Sequence, residues 1–205
     1  PSPFLVYAFD INGNDQIVVG LNGKVNVSND GGSTWRNKNY SVGNNNYTFP
    51  SIFGLRGTPK VWTGGDGGLI LYSSNNGTNW TKQQTSAPYS FTDIEMLDAN
   101  TGYACGGLLI AGVGYCFKTT NGGALWLQLP IPNPSTPIYN LDFVDVNTGW
   151  IFGGYPFGSP PVISKTTNGG VTWVNQTSTP VLDGTISDGN FANANGSLMT
   201  VGGIG

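Results

Sequence analysis

Four copies of one eight-residue pattern stand at nearly equal intervals along the 205-residue chain. They run from Ser28 to Trp35, Ser73 to Trp80, Thr119 to Trp126 and Thr166 to Trp173, so the closing tryptophans are 45, 46 and 47 residues apart. A period of this length, with its signature always in the same place, calls for stacked supersecondary units that bury their apolar faces against one another. A chain built this way is one continuous array, and residues 1–205 are read as a single domain.

The pattern is Ser or Thr, any residue, Asp or Asn, any residue, Gly, two variable residues and Trp. Asp30, Asn75, Asn121 and Asn168 hold the third position, where a short side-chain oxygen can accept backbone N–H groups just downstream and close a turn. Gly32, Gly77, Gly123 and Gly170 follow two residues later, where a positive φ or a close backbone approach is expected. The tryptophan is expected to open the next strand and bury its ring against a neighbouring unit. Structural locking is one role for these boxes and ligand binding by the third-position side chain is the other. A metal is the weaker form of the second, since only one box carries Asp.

Strand-like stretches recur four to a repeat with turn residues between them, as in Asn12-Gly13 and Asn22-Gly23 of the first repeat. The units are placed at about 1–39, 50–84, 90–129 and 138–176, with a partial fifth over 185–205. The joining segments are polar or proline-bearing and read as loops between units. Gly64 to Gly68 reads as a hairpin tip, without the lysine of a phosphate-binding loop.

These boxes resemble the Asp-box, or BNR, motif of β-propellers. The flanking text narrows the resemblance. Asp98-Ala99-Asn100-Thr101-Gly102-Tyr103 and Asp145-Val146-Asn147-Thr148-Gly149-Trp150 precede Gly106-Gly107 and Gly153-Gly154, and Lys118 to Gly123 and Lys165 to Gly170 then follow. This combination is similar to the propeller family named for photosystem II assembly and stability factors, which also occurs in secreted bacterial proteins. The resemblance implies an all-β propeller of four-stranded antiparallel blades, with four complete blades and the first half of a fifth. A propeller removes its exposed edges by closing, so the expectation is that this is part of a larger closed propeller. The resemblance also implies that Ser28, Asp30, Gly32, Trp35, Ser73, Asn75, Gly77, Trp80, Thr119, Asn121, Gly123, Trp126, Thr166, Asn168, Gly170 and Trp173 are structural.

Composition narrows the function. Charged residues make up 9% of the chain and the net charge is −3, so there is no basic footprint for nucleic acid. No apolar run reaches the length of a membrane span. Abundant Asn, Ser and Thr with few charges point to a secreted or cell-surface protein. The chain has no histidine, which removes Ser-His-Asp and Cys-His catalysis and any His-ligated metal. No cofactor and no metal are expected. Cys105 and Cys116 flank a turn in the third repeat at positions where the fourth has Phe152 and Ile163. They are either a cross-strand disulfide or two buried free thiols.

Alternation along the first strands groups Asp93 with Glu95, Asn140 with Asp142, and Asp188 with Asn190. In a propeller the first strand lines the central channel, so these six are the channel-lining ligand candidates, with a hydrated wall as the plainer role. Tyr40, Tyr47, Phe49, Tyr155 and Phe157 are candidates for a sugar- or protein-contact surface, or pack on their own blades.

The leading expectation is a non-catalytic extracellular interaction or structural module, binding protein or glycan partners through loops and blade faces, or other copies of itself. A glycoside hydrolase of the xyloglucanase-like Asp-box class is one alternative and needs a pair of carboxyl groups across a sugar site. A sialidase is disfavoured, because the resemblance would require an arginine triad and the chain has only Arg36 and Arg56. An assembly factor for a membrane protein complex is the other alternative.

Overall fold

The computed structural model describes residues 5–40, 47–155, 161–176, 185–191 and 199–204, the last two segments as backbone only. The first repeat pairs β1 (Val6–Asn12), β2 (Asp15–Gly20), β3 (Val25–Ser28) and β4 (Arg36–Asn37) in sequence order. The second pairs β5 (Ser51–Gly54), β6 (Val61–Gly65), β7 (Leu69–Ser73) and β8 (Thr81–Gln83). The third contains β9 (Phe91–Met96), β10 (Gly102–Leu108), β11 (Val113–Thr119) and β12 (Leu127–Leu129), and the fourth β13 (Ile138–Phe143), β14 (Gly149–Gly153), β15 (Val162–Thr166) and β16 (Val174–Asn175). All pairings are antiparallel. β17 (Thr185–Phe191) and β18 (Met199–Ile204) form a further two-stranded sheet.

Each sheet is an up-and-down meander because its connections are tight. Gly13, with φ of +65°, turns β1 into β2, where any other residue would be strained. Short 3₁₀ turns at Leu21–Gly23, Asp66–Gly68 and Leu109–Ala111 join the second and third strands. The first strands β1, β5, β9, β13 and β17 lie against one another in succession, so the four four-stranded sheets are blades around a common axis. The fold is all-β with nearly no helix.

Period-two alternation gives every blade two apolar faces, and the core is the set of seams between them. Strand register puts Ile17, Trp62, Tyr103 and Trp150 at the same place, and the first three pack against the following blade. The first seam joins Ile17, Val19, Val25 and Val27 of blade 1 to Val61, Leu69 and Leu71 of blade 2. Trp62 and Ile70 then meet Ile94, Met96, Ala104, Phe117 and Trp126 of blade 3. Tyr103 and both cysteines meet Ile138, Leu141, Phe143 and Ile151 of blade 4. The rings of Tyr103 and Phe143 stack with centroids 3.6 Å apart across this last seam. Each large side chain so buried contributes roughly 1.5–3 kcal/mol.

Candidate functional site

The four boxes share one hydrogen-bond circuit. The hydroxyl of Ser28, Ser73, Thr119 or Thr166 accepts the N–H of Gly32, Gly77, Gly123 or Gly170 at 2.9, 2.9, 2.8 and 2.9 Å. It donates to the side-chain oxygen of Asp30, Asn75, Asn121 or Asn168. That oxygen in turn accepts the N–H four residues on, from Thr34, Asn79, Leu125 or Thr172, at 2.8 to 2.9 Å. Hydrogen bonds from Thr34 and Ser28 hold the Asp30 carboxyl down at about 2. The fifth-position glycines have φ between +73° and +91°, and the fourth position is left-handed as well, at Gly31, Asn76, Gly122 and Gly169. The second of these requirements was missed in the sequence. Its signal was the Gly-Gly pair in three of the boxes, replaced in the second by Asn, which tolerates this conformation better than other side chains.

The boxes also reach backwards onto the preceding blade. The Gly122 carbonyl accepts from Trp62 Nε1 at 3.4 Å and from Gln83 Nε2 at 2.8 Å, both on blade 2. The Gly169 carbonyl accepts from Tyr103 Oη and Lys118 Nζ on blade 3. Asn76 Nδ2 donates to Asp15 Oδ2 on blade 1 at 2.7 Å.

The tryptophans depart from expectation in two ways. The outer strand starts one residue after each tryptophan. Burial also differs, with Trp126 enclosed and bonded through Nε1 to Gln83 Oε1 at 3.0 Å, Trp80 and Trp173 half-buried, and Trp35 exposed. The rings of Trp80, Trp126 and Trp173 pack on the preceding blade, and among the described residues no sheet covers Trp35 in this way.

The inner-strand carboxylates cross a seam. Asp93 Oδ2 accepts the Leu141 N–H at 3.0 Å and Glu95 Oε2 accepts the Phe143 N–H at 3.0 Å, so β9 is tied to β13 by two side chains. Burial pushes the Glu95 carboxyl up to about 8; the Phe143 N–H opposes this, while the nearby Asp142 and Asp93 add to it. Thr92 Oγ1 donates to the Ile138 carbonyl at 2.9 Å in the same seam. Asn140 and Asp142 are half-buried on β13. Asp188 and Asn190 fall on β17, outside the residues whose side chains are described. Asp10 of β1 plays a related part, paired with Arg56 of blade 2 at 3.1 Å.

Cys105 and Cys116 face each other directly across β10 and β11, yet both are free thiols, which corrects the disulfide expectation. Their sulfurs turn to different partners, Cys105 to the Thr92 hydroxyl and Cys116 to the Phe117 carbonyl, each at 3.9 Å. Burial raises both thiols, Cys116 to about 12. Of the loop aromatics, Phe49 is fully buried, and Tyr40 and Tyr47 pack beside it on the first seam. Tyr155 donates to the Ser135 carbonyl at 2.6 Å, and Phe157 lies outside the described residues.

An open depression of about 440 Å³ lies over the first seam, lined by Asn37, Lys38, Asn39, Tyr40, Thr78, Asn79 and Trp80. Its lining is amide, hydroxyl and indole, with one cation. The Trp80 Nε1 is buried and lacks a hydrogen-bond acceptor among the described residues. No group of three or more His, Cys, Asp or Glu placed to hold a metal ion occurs among the described residues, and no described helix is long and apolar enough to cross a membrane.

The model of the family described as photosynthesis system II assembly factor YCF48 matches residues 3–127, more than half of the chain. The chain belongs to this family. It is 28% identical over 115 residues to the photosystem II assembly lipoprotein Ycf48 of Synechococcus sp. (strain CC9902), a match covering 53% of this chain and 32% of that protein. The matched region therefore spans about a third of the relative's length. Among solved structures, YCF48 bound to D1 peptide is similar at 14% identity and a TM-score of 0.51, with 92% of this chain and 86% of that chain covered. An ancestral GH74 enzyme is similar at 16% identity and a TM-score of 0.68, covering 90% of this chain and 27% of that one. The GH74 xyloglucanase of Xanthomonas campestris is similar at 15% identity and a TM-score of 0.60, covering 80% and 28%. At these identities the likeness is one of fold, the β-propeller.

Proposed function

We propose that this chain is a non-catalytic, protein-binding propeller that serves the assembly of a membrane protein complex. The observation that carries the reading is the family match over residues 3–127. The family match favours this reading over the general extracellular binding module that was the leading expectation. The YCF48 structure solved with a D1 peptide supports a polypeptide as the kind of ligand. The depression over the first seam suits a peptide backbone, because the amides and hydroxyls of Asn37, Asn39, Asn79 and Thr78 can pair with its N–H and C=O groups while Tyr40 and Trp80 supply apolar walls. The relative's description as a lipoprotein supports a membrane-associated site at the cell surface or in an extracytoplasmic compartment.

Glycoside hydrolysis fits less well. Asp93 and Glu95, the carboxyl pair nearest to what it would need, are occupied with the backbone of the next blade, and both are half-buried. The test measures binding of the D1 peptide by fluorescence anisotropy alongside reducing-sugar release from xyloglucan. Peptide binding that weakens about fivefold in Asn79→Ala, with no sugar released, is expected. Xyloglucan cleavage, or no peptide binding at all, would overturn the proposal.

A further inference from the structure

Two hollows on the outer rim hold the same place in the repeat and differ in chemistry. The depression over the first seam includes Asn39, Tyr40, Thr78, Asn79 and Trp80. Counted from the box tryptophans, their counterparts between blades 3 and 4 are Pro130, Ile131, Val171, Thr172 and Trp173, which line a hollow of about 240 Å³. Amides give way there to proline, isoleucine and valine. A further hollow of about 120 Å³ on blade 3 is lined by Lys118, Leu125, Leu127 and Leu129, among others. Leu129 packs so closely on Gly170, the neighbour of Val171, that no side chain fits at that glycine. An apolar strip therefore runs from Leu125 through Leu127 and Leu129 to Val171.

The fold does not demand this strip. The places of Leu125, Leu127 and Leu129 are held by Thr34, Arg36 and Lys38 in blade 1 and by Asn79, Thr81 and Gln83 in blade 2; in blade 4 only the middle one, Val174, is apolar. Blade 4 is already seated against blade 3, yet Leu125 is 50%, Leu127 59% and Val171 63% exposed. Contiguous apolar surface of this kind marks a place for a partner.

The strip lies beside an open sheet edge. β12 is the outermost strand of its sheet, and among the described residues no backbone hydrogen bond reaches its outer side. Edge strands are commonly guarded by charge, as β4 is by Arg36 and β8 by Lys82, whereas β12 reads Leu127-Gln128-Leu129. Unpaired N–H and C=O groups next to apolar side chains suit an extended polypeptide, which has both kinds of group, and not an acyl chain, which has one. Lys118 adds a charge preference. Its ammonium lines the smaller hollow, donates to the Gly169 carbonyl at 3.1 Å and pairs with no carboxylate among the described residues.

We infer that the outer edge of blade 3 is a docking site for an extended polypeptide segment that pairs with β12, sets alternate apolar side chains on the strip and brings an acidic residue towards Lys118. One added strand buries a small area, which sets the expected affinity in the micromolar range. The site is separate from the depression over the first seam, and the inference does not depend on what binds there.

Panning a random twelve-residue peptide library against the wild-type chain tests it, with enriched peptides then synthesised and titrated by fluorescence anisotropy. Enriched peptides are expected to carry apolar residues at every second position and an Asp or Glu. The double variant Leu125→Asn, Leu127→Thr gives blade 3 the residues of blade 2, so it is expected to keep its circular dichroism spectrum and to bind about tenfold more weakly. Peptides N-methylated at either the odd or the even residues separate edge pairing from simple apolar contact, and one of the two sets is expected to lose binding. Asn79→Ala, at the first seam, is expected to bind these peptides as the wild type does. No enrichment, or enriched peptides lacking the alternation or the acidic residue, would overturn the inference. So would binding that survives the double variant or both N-methylated sets, or that is lost equally with Asn79→Ala. Binding of the wild type but not the double variant to phosphatidylcholine vesicles, or self-association lost in that variant, with no peptide bound in either case, would give the strip to lipid or to a second copy and would equally overturn it.

Discussion

Replacing Glu95 with Gln isolates the electrostatics of one seam. In the folded chain the carboxyl holds its proton up to about 8, against an ordinary value of 4.5, because burial disfavours the charged form and Asp142 and Asp93 repel it. The folded state therefore binds this proton more tightly than the unfolded chain does. The stability that comes with it is complete below pH 4.5, declines as pH rises from 4.5 to about 8, and is gone above that. Each pH unit of that window is worth about 1.4 kcal/mol, which sets an upper bound of about 5 kcal/mol; relaxation and entering water bring the expected loss to about 2–4 kcal/mol. Gln keeps the oxygen that accepts the Phe143 N–H and cannot ionise. Urea unfolding of the wild type and Glu95→Gln, followed from pH 4 to pH 10, gives the difference curve, from which the titration of groups not coupled to Glu95 drops out. The two proteins are expected to be nearly equal at pH 4, with the variant more stable by about 2–4 kcal/mol at pH 9. Parallel curves across the whole range would show that Glu95 does not titrate in the seam, and the reasoning would fail. Asp142→Asn is a second check, since removing that repulsion should move the fall in stability to lower pH in the wild-type background.

The other predictions concern the boxes, the seams and the thiols. Thr119→Val leaves the N–H groups of Gly123 and Asn121 without their acceptor and should cost about 1–3 kcal/mol in urea unfolding, while Thr119→Ser should cost under about 1 kcal/mol. Gln83→Ala removes one of the two donors to the Gly122 carbonyl and the acceptor of the enclosed Trp126 N–H, so a loss of about 1–3 kcal/mol is expected, with a change in the tryptophan emission of the native state. Cys105 and Cys116 should both be silent to a thiol reagent at pH 8 in native buffer and titrate as two thiols in denaturant; rapid native labelling would contradict their burial.

Much of this was legible because local chemistry decides it. Ser or Thr, then Asp or Asn, then Gly at a fixed spacing specifies a turn whose bonds all lie within eight residues, and alternation alone places Asp93 and Glu95 on one side of β9. What those side chains meet is set by a neighbouring blade about 48 residues away, so the channel assignment and the seam bonds to Leu141 and Phe143 look alike in the sequence. The same limit applies to Trp35 and Trp126, which close equivalent boxes and differ in whether, among the described residues, a blade stands behind them. Cys105 and Cys116 show a further limit. Their cross-strand positions follow from alignment with Phe152 and Ile163, but whether two facing thiols join depends on rotamers that no pattern records.

The direction of the seam bonds has a consequence for how such an array changes over evolutionary time. In the third repeat the Gly122 carbonyl takes donors from the unit before, and the Asp93 and Glu95 carboxylates take N–H groups from the unit after, so that repeat is both plug and socket. A duplicated repeat arrives with both halves of the fitting and needs no compensating change in its neighbours. Length drift is confined to loops that take no part in either joint, which fits tryptophan steps of 45, 46 and 47 around an unchanging box. Lineages of this chain should therefore gain and lose whole repeats more readily than they alter the residues at the joints.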